Sequence, residues 1–252
     1  MKLRKLAVAL AATVTIGSAQ ASLFDRGGGM IYDDMLDITW LQDANYARTS
    51  GYKTDNNGKM TWNAANAWAN QLVYSGYSDW RLPTLSPING TAFNYNNGFY
   101  VYDGSVDIGY NISAKGSVYV GSTANELAYM NFINLGNIAG YDINGIHYPA
   151  GWGLNNSSFV DGSNGNTVGF LSVYPGSYWQ NAEYDGARGM FFDVGQGAEG
   201  VEPKRMEFYA WAVRDGDIAV SSVPAPSAFI LMLTGLGVLG LIKRFRTTDK
   251  EA

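Results

Sequence analysis

Residues Thr61 to Thr84, TWNAANAWANQLVYSGYSDWRLPT, constrain the fold of this chain more than any other stretch. Ala65, Trp68, Ala69 and Leu72 fall at the spacing of one buried helical face, while Asn63, Asn66, Asn70 and Gln71 take the other side. Thr61 stands where its hydroxyl can accept an orphan N–H of the first turn. Gly76 suits the helix exit, and Pro83 pushes Leu82 into extended backbone. The pattern predicts a helix over Thr61–Leu72 and then a fixed Trp-Arg-Leu-Pro corner, with Trp80 and Leu82 packing beneath it.

A second helix is predicted from Thr123 to Leu135. Thr123-Ala-Asn-Glu126 reads as a capping box, and Leu127, Met130, Ala128, Phe132 and Leu135 form a broad apolar stripe that Gly136 ends. Strands are predicted at Ile38–Leu41 after a turn at Asp33-Asp34, at Ser177–Asn181, at Ala187–Val194 and at Glu207–Arg214. The last is apolar on both faces and is read as central. Ser22–Gly29 reads as a flexible lead, and Asp43–Lys59 and the acidic Gly195–Lys204 read as loops. Two stretches rich in Asn, Gly and aromatic residues, about 85–121 and 137–177, are read as long loop insertions.

Both chain ends carry membrane signals. Met1–Ala21 combines Lys2, Arg4 and Lys5, an uncharged run and Ala19-Gln20-Ala21, the parts of a secretory signal peptide. No charged residue lies between Ile218 and Ile242, and Lys243, Arg244 and Arg246 follow at once. With its Pro-rich lead-in this run just reaches the length of a membrane span, about 226–242, with the basic tail cytoplasmic.

The segment Ser22–Ile242 holds 10 Lys plus Arg against 20 Asp plus Glu, a balance that argues against nucleic acid and anionic lipid head groups. The chain has no cysteine, which excludes thiol nucleophiles, thiolate metal sites and c-type haem attachment. His147 is the single histidine and is read as a loop residue. No Gly-x-Ser-x-Gly elbow accompanies it, and no catalytic set is recognised. No cofactor is expected. Calcium alone stays open, because Asp161-Gly-Ser-Asn-Gly-Asn166 has oxygen ligands, but the run lacks the closing Glu of an EF-hand and is read as a turn.

Two resemblances add to this reading. Pro224, Pro226, the apolar run and Lys243, Arg244 and Arg246 together resemble a PEP-CTERM sorting signal of Gram-negative bacteria, with Ala225 where the family name expects Glu. That resemblance implies an exosortase-type transpeptidase as partner, a membrane contact during sorting, and no permanent span afterwards. Ile38-Thr-Trp-Leu41, Asp79-Trp-Arg-Leu-Pro83, Asn125-Glu-Leu127, Tyr178-Trp179 and Ala210-Trp-Ala-Val-Arg214 resemble the Lcl C-terminal domain family. It implies an α+β, C-type-lectin-like fold over 22–217, with two helices, a small antiparallel sheet and long loop insertions. It brings no catalytic residues, so Trp80, Arg81, Trp211 and Arg214 are expected to be structural.

The expectation is an exported protein of the cell surface, outer membrane or extracellular matrix, with a non-catalytic module that binds polysaccharide or another surface ligand. Aromatic faces stack on sugars, which makes Tyr100, Tyr102, Tyr148 and Trp152 the candidate ligand-binding residues. The alternatives are a structural surface protein without a small ligand and a glycan-processing enzyme using carboxylates such as Glu183, Asp185 and Asp193.

Overall fold

The computed structural model describes residues 22–53, 56–96 and 100–218. The expected signal peptide and the sorting signal with its apolar run lie outside the described residues. Within them, no helix is long and apolar enough to cross a membrane. The chain divides into one unit ending at Asp217 and a second starting at Ile218. Only the first is described below.

Among the described residues, ten strands build three antiparallel sheets. The first sheet joins β1 (Leu23–Asp25), β2 (Met30–Asp33), β3 (Ile38–Leu41) and β10 (Val213–Asp215), in that order. It brings the first and last of the described strands into one sheet. The β2–β3 turn forms because Asp33 accepts the backbone N–H groups of Met35 and Leu36, at 3.1 Å each, and Asp37 takes a positive φ. The second sheet runs β4 (Gly109–Tyr110), β9 (Ala198–Pro203), β8 (Arg188–Asp193) and β7 (Ser177–Glu183). The third is a hairpin of β5 (Ser158–Val160) and β6 (Thr167–Gly169).

Among the described residues three α-helices accompany them: α1 (Tyr46–Thr49), α2 (Trp62–Gln71) and α3 (Glu126–Tyr129), the last extended by a π-turn over Met130–Asn134, and Asn56–Gly58 forms a short 3-10 turn. In α2 the predicted cap and face are present. Thr61 Oγ1 accepts from Ala64 N, and Ala65, Trp68 and Ala69 are buried.

This mostly β architecture corrects the α+β, C-type-lectin-like expectation. Two causes are visible. First, the predicted second helix is short. Asn125, not Thr123, is its cap and accepts from Ala128 N at 3.0 Å. Glu126 cannot close a capping box because its carboxylate is taken by Arg81 and by Thr84 N. Second, Ala198–Pro203 is a strand, although its Glu, Gly and Pro hide it from propensity. It pairs with β8 along its whole length and with β4 on its other edge. The predicted central strand Glu207–Arg214 shrinks to its end, and Ala210–Ala212 cross the core as irregular backbone. Residues 23–25, read as part of a flexible lead, pair with β2. Residues 85–121, read as a loop insertion, place Ile88, Val106, Ile108 and Ile112 in the interior.

The core is organised by tryptophan. Trp40, Trp68, Trp80, Trp179 and Trp211 are almost wholly buried. Three indole N–H groups donate to loop or strand carbonyls: Trp179 to Met60 O at 2.8 Å, Trp211 to Leu41 O at 2.7 Å and Trp80 to Tyr77 O at 3.2 Å. Each ring fills the core, and the polar edges of Trp179 and Trp211 tie remote backbone segments to it. The half-buried Trp62 does the same from α2, donating to Gln180 O at 2.8 Å.

Candidate functional site

The site is made by two loops that face one another. In the first, Tyr110 N donates to Val101 O at 2.8 Å and Gly109 bridges Val101, so Tyr100, Tyr102 and Tyr110 are brought to one side. Gly109 is required there. Its φ is +130°, and a Cβ at this position would lie 2.1 Å from Val101 O. Gly109→Ala is therefore expected to destabilise the protein by about 2–4 kcal/mol through strain and a backbone clash. Urea unfolding would measure it, and a loss under 0.5 kcal/mol would show that the loop relaxes freely.

The second loop is a hairpin closed at Tyr141 and His147. Asp142 sets its turn, accepting from Asn144 N at 2.9 Å and Ile146 N at 2.8 Å. Those N–H groups, Ile146 first, hold the Asp142 carboxyl below the usual carboxylate range. Asn111 staples the two loops. Its amide nitrogen donates to Tyr102 O at 2.7 Å and to Tyr141 O at 2.9 Å.

The result is a continuous aromatic ladder. Tyr102 stacks on Tyr110 with centroids 5.3 Å apart and planes 14° from parallel. Tyr100 meets Tyr110 at 5.8 Å, and Tyr141 meets both Tyr102 and Tyr110, at 5.2 and 4.9 Å. Tyr141 then contacts His147, which contacts Trp152 at 5.2 Å. Tyr100 is exposed, while Tyr102, Tyr110, Tyr141 and Trp152 are half-buried. Burial pushes the Tyr110 phenol up to about 12, and burial also raises Tyr100. Both therefore stay neutral hydrogen-bonding groups at physiological pH.

Beside the ladder lies a cleft of about 410 Å³ lined by Asn111, Lys115, Phe132, Asn137, Asp142 and Tyr148, among others. Lys115 is exposed and makes no ion pair among the described residues. Exposed Ile138, Ile143 and Tyr148 give the rim apolar surface. Fixed amides, one cation and aromatic or aliphatic walls suit a ligand with both hydroxyls and C–H faces.

The four candidate ligand-binding residues thus fall in one region. Tyr100, Tyr102 and Trp152 are rungs of the ladder, and Tyr148 lines the cleft. Tyr110, Tyr141, His147, Asn111 and Lys115 complete the region and were missed, because their neighbours come from loops about 30 residues apart. The repetition of Tyr beside Gly and Asn was the available signal. Trp80 and Trp211 lie in the core, far from solvent. Arg81 binds Glu126 and Asp215, and Arg214 binds Asp79 through two bonds while covering the Tyr77 ring at 4.4 Å.

The carboxylates considered for chemistry are each engaged elsewhere. Glu183 pairs with Lys204, Asp185 with Arg188, and Asp193 accepts from Ser177 Oγ and Gln196 N. Asp161 turns the β5–β6 hairpin, accepting from Ser163 N, Ser163 Oγ and Asn164 Nδ2. No group of three His, Cys, Asp or Glu side chains placed to hold a metal ion occurs among the described residues. Compared with protein-family models, with curated proteins and with solved structures, the chain matches none.

Proposed function

We propose that this chain is an exported surface or matrix protein whose unit ending at Asp217 is a non-catalytic binding module for polysaccharide. The observation that carries the proposal is the ladder from Tyr100 to Trp152 beside a cleft edged by Asn111 and Lys115. A run of neutral aromatic faces flanked by amides matches the alternation of C–H faces and hydroxyls along a glycan chain. The basic n-region with its small-residue site supports export. Pro224, Pro226 and the Lys243-Arg244-Phe245-Arg246 tail support sorting by an exosortase-type transpeptidase, with a transient membrane contact.

The test is co-sedimentation of the purified chain with the extracellular polysaccharide of the producing cells. Saturable binding is expected, and Tyr148→Ala should weaken it about tenfold, the scale of losing one interface aromatic. Tyr148 is exposed and makes no ring contact with the ladder, so the variant should unfold at the wild-type temperature. Absence of binding to that polymer would overturn the proposal and leave a structural surface protein.

A further inference from the structure

Glu199 on β9 is wholly buried, and no cation among the described residues acts on it. It sits opposite Phe192 of β8 and Gly109 of β4. Asn125 donates its amide N–H to Glu199 Oε2 at 2.8 Å. That orientation is imposed from outside the pair, because Asn125 Oδ1 is the cap of α3 and already accepts from Ala128 N. Gln180 of β7 donates to the same Asn125 oxygen at 2.8 Å. Its own carbonyl oxygen is thereby turned onto Glu199 Oε1, at 2.6 Å.

Two oxygens at that distance are stable only with a hydrogen between them. With a proton on Glu199 the ring closes with every donor matched: Glu199 to Gln180, Gln180 to Asn125, Asn125 to Glu199. Without it, Gln180 must turn over to donate to the carboxylate, and its oxygen then abuts Asn125 Oδ1. The groups that face Glu199 with charge or a titrating proton are the Asp107 carboxyl and the phenols of Tyr95 and Tyr100. None is a cation. Glu126, next to Asn125, is bound to Arg81.

We propose that Glu199 is a proton lock on the aromatic site. As a neutral acid it holds the β4–β9 junction and the cap of α3, and loss of its proton loosens both. This rests on the binding role proposed above. The link to the site is short: β9 pairs with β4 through Tyr110↔Ala198, and the Tyr100 hydroxyl lies against Gly200, 2.9 Å from where a Cβ would stand. Burial, assisted by Asp107, raises the Glu199 acid well above its ordinary range. In the unfolded chain a glutamate ionises near pH ~4.3. Between that pH and the raised value the folded chain keeps a proton that the unfolded chain has lost. Stability is therefore full below pH ~4 and falls as pH rises through that interval, the unfolding constant growing about tenfold per pH unit.

The test uses the full chain in detergent and three readouts. Infrared spectra at pH 7 should show a protonated-carboxyl band that Glu199→Gln removes and that is lost as pH is raised. Asp33 and Asp107 are also raised by burial, Asp33 to about 6, and Asp33→Asn and Asp107→Asn identify their shares of the band. Near-ultraviolet circular dichroism should report a change in the tyrosine ladder in step with loss of the band, and E199Q should lack that step. E199Q reproduces the neutral ring, so its stability should match wild type near pH 4 and exceed it increasingly above. No Glu199 band at pH 7 overturns the proposal, and so does a band that titrates with no change in the ladder signal. If E199Q does not fold, coincidence of the two wild-type titrations decides it. Polysaccharide binding measured across the same pH range should fall with the band. A polymer that binds at no pH overturns the binding role while the spectra still judge the lock.

Discussion

Arg81→Ala is expected to lower the thermal midpoint by about 10 °C, because it strands a carboxylate inside the protein at a cost of about 3–5 kcal/mol. Arg81 makes a two-pronged contact with Glu126, 2.9 Å on each arm, and also donates to Leu82 O. Glu126 is nearly buried and is held in addition by Thr84 N at 2.8 Å. The pair thus joins the Trp-Arg-Leu-Pro corner to the first turn of α3. The third partner, Asp215, is mostly exposed, so its contribution is small even at 2.6 Å. Arg81→Lys keeps the charge but not the fork, and should recover less than half of the loss. Glu126→Gln in the Arg81→Ala background removes the stranded charge and should recover more. Thermal unfolding of the three variants checks this. An Arg81→Ala midpoint within 3 °C of wild type would mean that water reaches Glu126.

Trp211→Ala is expected to cost about 3–5 kcal/mol, the range for emptying a large buried ring site. Trp211 is 1% exposed and packs against Trp40 at 4.9 Å and Phe170 at 5.1 Å. Its indole N–H also donates to Leu41 O of β3. The substitution therefore removes both the filling between the first sheet and the β5–β6 hairpin and a bond that ties residue 211 to strand β3. Trp211→Phe restores part of the volume but not the donor, and should lose about half as much. Urea unfolding with an unchanged slope would assign the loss to the folded state. Equal stability of the Phe and wild-type proteins would show that the indole N–H contributes nothing.

Local pattern was legible where a residue's neighbours in space are its neighbours in sequence. Helix α2 with its Thr61 cap, the Asp33 turn, strand β3 and the Asp161 turn are of this kind. Each is decided by side chain to backbone bonds within four residues or by a single apolar face. Burial of Trp211 could be anticipated for the same reason, since Ala210 and Ala212 flank it.

Contacts between distant segments were not legible. Glu126 reads as a capping-box member until Arg81, 45 positions away, claims its carboxylate and leaves the cap to Asn125. Ala198–Pro203 reads as a loop because strand propensity penalises Glu, Gly and Pro, yet pairing with β8 and β4 outweighs that penalty. The aromatic ladder is likewise invisible in one dimension, since Asn111 joins two loops whose tyrosines have no common periodicity. Composition and short-range spacing specify the turns, one helix and the buried tryptophans through local bonding. Which strands pair, which carboxylate keeps its proton and which tyrosines share a face depend on long-range packing, whose energies are settled only when the partners meet.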